Sequence, residues 1–265
     1  MLKVIEHHSA SSGNTFIDCP HMWIIDKLYE FESEPNARMK MGLTAEDAAH
    51  NALSKQITDE NNIAKDAKIQ YMTKHKGSET DDECSWSGMI ANTFVKELKQ
   101  YGDVISYQKE ADVPGDKYGL KFNIVAKTDF EFENFIVDTK ATAKVWRYAA
   151  NASEKKQGKK GRINHNYHPK SDHLRQQFLY RELFGKDCLL LYASPWDNHT
   201  SDLGDHVGYL EQLINAFKSI EHILNIANTK EDVVRMYPLT FDNWRWRYTP
   251  GAEEFARKIW SKAFK

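Results

Sequence analysis

The chain has 265 residues, 41% of them hydrophobic and 28% charged, enough for one sizeable hydrophobic core or two small ones. Its net charge of −2 and pI near 6.6 exclude a globally basic nucleic-acid binder, so any such contact needs a local patch. No apolar run approaches the roughly 20 residues that span a bilayer. The start of the chain turns polar too early for a secretory signal, and three scattered cysteines, Cys19, Cys84 and Cys188, fit a reducing cytoplasm better than a disulfide scaffold.

The residues up to 102 are predicted mainly helical. A polar start at 11–15 precedes an amphipathic stretch over 16–31, interrupted by Pro20. Thr44 with Asp47 resembles a helix start and opens a helix over 44–56. A second helix is expected over 59–75, a polar loop over 76–83 and a third helix over 86–101, where Met89, Ile90, Phe94, Val95 and Leu98 recur at helical spacing. The centre is β-rich: a strand over 104–111, a turn at Pro114, one long strand or two joined by a bend over 119–132, and a strand over 134–141. A helix over 172–184 ends at Gly185, and an apolar strand follows over 187–193. A mostly helical stretch over 203–226 and a last helix over 251–264 complete the chain. This order predicts an α/β (α+β) fold, a mixed central sheet flanked by helices in a single domain over 1–265. Its parts are a helical subregion to 102, the sheet core over 103–195 and C-terminal helices over 196–265.

Asp129, Asp138 and Lys140 are the residues in which chemistry concentrates. Two strands joined by a tight turn at Asn134 form a hairpin, and alternation puts Asp138 and Lys140 on one face with Asp129 able to join them from the partner strand. Hard cations such as Mg²⁺ or Mn²⁺ take carboxylate and carbonyl oxygens, so Asp129, Asp138 and the carbonyl of Thr139 can form a metal site. Lys140 beside it could orient or deprotonate an attacking water, or steady charge on a phosphate. An Asp-x-Lys at a strand end also occurs as a solvated ion pair, so company elsewhere in the chain decides between the two readings.

That company resembles the PD-(D/E)xK nuclease superfamily in its RecB-like branch, over about 9–193. Ser9 and Ser11, then Phe16, Cys19 and Pro20, match the opening piece of that branch. His50, flanked by small residues, stands where the family places a metal-binding histidine on an early helix, although the usual Gly-x-x-x-His is replaced by Glu46 before His50. Glu110 has a less constant counterpart and also reads as a solvated strand acid. Ala126 keeps the position before Asp129 small, and Thr142 follows Lys140 as in the family. Glu131 and Glu133 are in phase with Asp129, either as supporting acids or as a solvent face. Gln176 and Tyr180 form the Gln-x-x-x-Tyr of the helix after the catalytic strand, on one helix face.

The resemblance implies a restriction-endonuclease-like fold and catalysis by one or two Mg²⁺ or Mn²⁺ ions, with His50, Asp129, Asp138 and Thr139 as ligands. Lys140, Gln176 and Tyr180 complete the site. An iron–sulfur cluster of the kind some relatives hold needs four thiolates, and no cysteine follows Cys188, so no cluster is expected and Cys19 reads as a packed thiol. Between 153 and 175, seven cations (Lys155, Lys156, Lys159, Lys160, Arg162, Lys170, Arg175) stand against two acids, a local charge of +5. With Trp146 and Arg147 nearby for stacking, this segment is the expected DNA contact. Relatives of this compact size without a helicase motif resemble the DNA exonucleases of phages and recombination systems. DNA is the implied partner, with a single-strand annealing or replication protein as a second. A structure-specific endonuclease, a non-catalytic DNA-binding module and a hydrolase of another phosphate ester are the alternatives.

Overall fold

The computed structural model describes residues 2, 5–142, 169–204 and 208–265. The chain enters through β1 (His7–Ser9) and α1 (Ala10–Asp18), where Ser9 caps the helix by accepting from Ser12 N–H at 3.3 Å. Pro20 begins a helix rather than breaking one: it stands in the first turn of α2 (Pro20–Tyr29), where its missing N–H would have been unpaired anyway. The next helix, α3 (Ala37–Ser54), starts well before Thr44. Its cap is Asn36, which accepts from Met39 N–H at 3.0 Å, and Thr44 is buried in the helix interior. Asp59 caps α4 (Glu60–Thr73), which falls within the helix expected over 59–75, and α5 (Asp82–Leu98) follows.

The strands are β2 (Ser106–Tyr107), β3 (Glu110–Val113), β4 (Asn123–Lys127), β5 (Phe130–Glu131), β6 (Phe135–Ala141), β7 (Asp187–Ala193) and β8 (Asn198–Asp202). They form two sheets, one ordered β1-β4-β3 and the other β2-β5-β6-β7-β8. The second sheet is mixed, with β6 and β7 parallel and the other neighbours antiparallel. β6 reaches β7 through α6 (Ser171–Phe184), which ends on Gly185 in the left-handed conformation. The C-terminal part is α7 (Tyr209–Ile226), α8 (Lys230–Met236), α9 (Arg245–Tyr248) and α10 (Ala252–Ala263).

The expected single strand over 104–111 is two, one in each sheet, because Gln108 takes a left-handed φ of 53° between them. The stretch over 119–132 likewise divides at Thr128 and Asp129. Register nevertheless runs straight through: Tyr107 pairs with Phe130 and Glu110 with Lys127, so Gln108 stands opposite Asp129. Gln108 N–H donates to the Asp129 carbonyl at 2.9 Å, and Thr128 N–H to the Lys109 carbonyl at 3.0 Å. The two sheets thus join through one kinked antiparallel ribbon, and Asp129 sits at the kink.

Alternation along the strands sorts the core into layers. Val137 and Leu191 pack with Phe130 and Phe132 against α3, α4 and α5, while Ile136 and Leu190 pack against Leu174 and Phe178 of α6. Trp23, Ile24 and Leu28 of α2 pack with Ile220, Leu224, Val233 and Trp260. Full burial of each such side chain contributes about 1.5–3 kcal/mol. No helix among the described residues is long and apolar enough to cross a membrane.

Candidate active site

The hairpin expected around Asn134 is present. Phe132 N–H donates to the Phe135 carbonyl at 2.8 Å, closing a two-residue turn, and Phe130 pairs with Val137. Continuing that register places Asp129 opposite Asp138. Strand β5 does not extend to Asp129, so the Asp129 carboxylate takes over a ladder position. Its Oδ2 accepts from Thr139 N–H at 2.7 Å and from Thr139 Oγ1 at 3.1 Å. Asp129 is thus tied to Thr139, and its charge also acts on Lys140 and Asp138.

Asp138 is fully buried under α6. Its Oδ2 makes an ion pair with Lys140 Nζ but accepts no well-formed hydrogen bond. Its Oδ1 accepts from Gln176 Nε2 at 3.3 Å, and the same amide donates to the Tyr180 hydroxyl at 2.8 Å. The i, i+4 spacing of Gln176 and Tyr180 makes this relay possible. Burial pushes the Asp138 carboxyl up to about 7, with Lys140 pulling it down and Asp129 pushing it up again. Burial alone would lower the Lys140 pKa, but Asp138 and Asp129 outweigh it and hold it above the usual lysine value. Lys140 is thus an ammonium at neutral pH, able to orient water or offset charge but not to take a proton.

Glu46 on α3 joins this group, and the sequence reading had passed over it as a departure from the family's glycine. Burial, then Asp129, raise its carboxyl to about 8; bonds from Gln108 and Tyr107 oppose this and Asp138 adds to it. Gln108 Nε2 donates to Glu46 Oε1 at 3.2 Å, so the kink residue that holds the Asp129 backbone also holds Glu46. The Tyr107 hydroxyl lies 3.1 Å from both Glu46 Oε1 and Asp47 Oδ1. His50, read as a metal ligand, is one turn further on and stacks on the Tyr107 ring with centroids 3.9 Å apart. Burial lowers its pKa and Asp47 is its charged neighbour, so α3 presents Glu46 rather than His50 to the two aspartates.

An open cleft of about 1320 Å³ is lined by Glu46, Thr139, Lys140, Thr142, Lys170 and His173, whereas Asp138 is buried. His173 was not assigned a role from sequence. Its Nδ1 lies 2.8 Å from the Tyr192 hydroxyl, and Tyr192 is the register partner of Lys140. Burial and then Lys140 bring its pKa down to about 4, so the ring is neutral.

The expected DNA contacts Trp146, Arg147, Lys155, Lys156, Lys159, Lys160 and Arg162 lie outside the described residues. Lys170 is exposed on the cleft. Arg175 also lines the cleft and is bound to protein partners. It is buried, and its guanidinium donates to Asn14 Oδ1 at 2.6 Å and Asp18 Oδ1 at 2.9 Å, pinning α6 to α1. Glu110 and Glu133 are exposed, whereas Glu131 is buried between Lys109, Lys186 and Ser106. Cys19 is buried in the core formed by α2 and the C-terminal helices.

Among the described residues, no three His, Cys, Asp or Glu side chains are already drawn together to hold a metal ion. The three carboxylates are electrostatic neighbours, but each is turned to a protein partner. Neither a protein-family model nor a curated protein sequence matches the chain. A solved structure titled "Crystal structure of SSO0001" is similar at a TM-score of 0.33 and 12% identity, over 65% of this chain and 82% of that one.

Proposed function

We propose that the chain is a metal-dependent deoxyribonuclease of the PD-(D/E)xK type, in the RecB-like branch, with a restriction-endonuclease-like core. Its reaction is exonucleolytic hydrolysis of DNA phosphodiesters in replication, recombination, repair or host-DNA degradation, in the cytoplasm (that of the host if the chain is viral). The observation that carries this reading is the buried Asp138 paired with Lys140, which lines an open cleft together with Thr139 and Glu46, with Asp129 bonded to Thr139 beside them. A buried carboxylate such as Asp138 is costly unless positive charge compensates it.

The residues fit a hard divalent cation. All three donors are carboxylate oxygens, and Asp138 Oδ2 is buried with Lys140 as its ion-pair partner. Glu46, Asp129 and Asp138 would hold Mg²⁺ or Mn²⁺, with Thr139 available through its carbonyl and Glu46 taking the place first given to His50. When bound, the ion supplies Lewis-acid polarisation of a phosphoryl oxygen and lowers the pKa of water. Lys140 keeps its proton and offsets the negative charge of the phosphate or orients the attacking water. Gln176 fixes Asp138 from one side and Tyr180 fixes Gln176. The test is incubation of linear and closed-circular DNA with Mg²⁺, Mn²⁺ or EDTA. Metal-dependent loss of linear DNA alone is the expected result. Cutting of circles would mean an endonuclease, and binding without cutting would overturn the enzymatic reading.

A further inference from the structure

Helix α6 covers Asp138 with two consecutive amides. Gln176 Nε2 donates to Asp138 Oδ1 at 3.3 Å, longer than the roughly 2.9–3.0 Å usual for such a bond, and is held in turn by Tyr180. Gln177 comes next. It stands three residues after Leu174 and three before Tyr180, so these three share one side of the helix. That side faces the sheet: Leu174 packs with Ile136 and Leu190, and Leu190 is the register partner of Asp138. Gln177 is 0% exposed, and neither its amide nitrogen nor its amide oxygen has a well-formed hydrogen bond.

Such an amide works against the fold. Burying it without partners is unfavourable, and a methionine or leucine would fill similar space without that penalty. The charged group within its influence is Asp138. Burial raises the Asp138 carboxyl most, and Lys140 and then the Gln177 amide oppose it. Asp138 thus has one lysine, one long amide bond and a second amide at hand that no other described residue engages.

We propose that Gln177 is a second positioning residue for Asp138: with Gln176 it clamps the carboxylate from α6 and fixes its orientation for a divalent cation. The inference rests on the metal-dependent reading above for the cation, and deepens it by adding a residue outside the Gln-x-x-x-Tyr pair.

The experiment compares wild type with Gln177→Met and Gln177→Leu, two apolar replacements of different shape, at pH 8. The Mn²⁺ concentration at half-saturation is read from the EPR signal of free Mn²⁺. Removing a residue that orients a metal's ligands weakens binding by about ten- to a hundredfold. Both variants should therefore need at least about tenfold more Mn²⁺, a shift that loss of packing alone would not give. Unchanged half-saturation in either variant would overturn the proposal. A second readout needs no metal. In EDTA, Gln177→Met is introduced into wild type and into Asp138→Asn, and the shift in unfolding temperature is compared. Unequal shifts are expected if Gln177 acts through Asp138, and equal shifts would overturn the clamp. The two claims then separate. Unequal shifts in a protein that binds no Mn²⁺ keep the clamp and remove the metal-dependent reading. Equal shifts in a protein that binds Mn²⁺ do the reverse.

Discussion

Glu131 and Glu46 are carboxylates in the same half of the molecule with opposite electrostatic fates. Burial works against ionisation of Glu131, but Lys186, Ser106 and Lys109 outweigh it and hold the carboxyl down to about 2. Its contribution to stability is therefore present above pH about 4.5 and is lost as pH falls towards 2. Glu131→Gln should cost about 2 kcal/mol at neutral pH and flatten the acid limb of a pH–stability curve between those values. Glu46 has the reverse sign. Its raised pKa means that the metal-free fold loses stability as pH rises from about 4.5 towards 8. Glu46→Gln should therefore raise the unfolding temperature in EDTA at pH 8 and reduce the rise that Mn²⁺ produces. An unchanged Mn²⁺ response would remove Glu46 from the ligand set. That Asp138 meets Lys140 and Gln176 meets Tyr180 was legible in the sequence, because strand alternation and i, i+4 spacing are local rules. Glu46 was not, because Gln108 and Tyr107, more than 60 residues away, hold it in place.

Close packing of whole elements accounts for what local pattern could not show. The strand over 187–193 and the helix over 172–184 matched closely because apolar runs and a terminal glycine mark them. β8 was missed because Asn198–Asp202 is polar throughout and earns its place by pairing with β7. The break at Gln108 was missed because a left-handed glutamine has no sequence signature. Among the helices, a Cβ on Gly88 of α5 would come within 2.9 Å of Ala64 Cα in α4. Alanine is favoured over glycine by about 1 kcal/mol in a helix interior, yet overpacking costs about 1–3 kcal/mol. Gly88→Ala should therefore destabilise the protein, by about 1 kcal/mol in a urea titration. Stabilisation instead would mean that α4 and α5 separate more readily than their backbone contact implies.

At the scale of the molecule, Asp18 ties three distant parts of the chain together. It ends α1 and receives Arg175 from α6 and Arg245 from α9. Asp18→Ala should cost about 2 kcal/mol, because it leaves two guanidiniums facing each other without their shared carboxylate. The general outline, a mixed sheet with helices on its faces, followed from the order of predicted elements. The assignment of the C-terminal helices to the cleft wall did not, since it depends on this long-range clamp. The cleft is lined by Glu46, Thr139 and Lys140 and also by Trp244 and Tyr248, while Asp138 is buried next to Lys140. The most direct measurement is Mn²⁺-dependent release of nucleotides from linear DNA by wild type and by Asp138→Asn, a near-isosteric change, with matched unfolding temperatures. Even partners one shell beyond a metal's ligands cost about ten- to a hundredfold when removed. The account predicts release by the wild type that EDTA abolishes, and a loss of roughly a hundredfold or more in the variant. Equal release by both proteins, or none by the wild type with either metal, would contradict it.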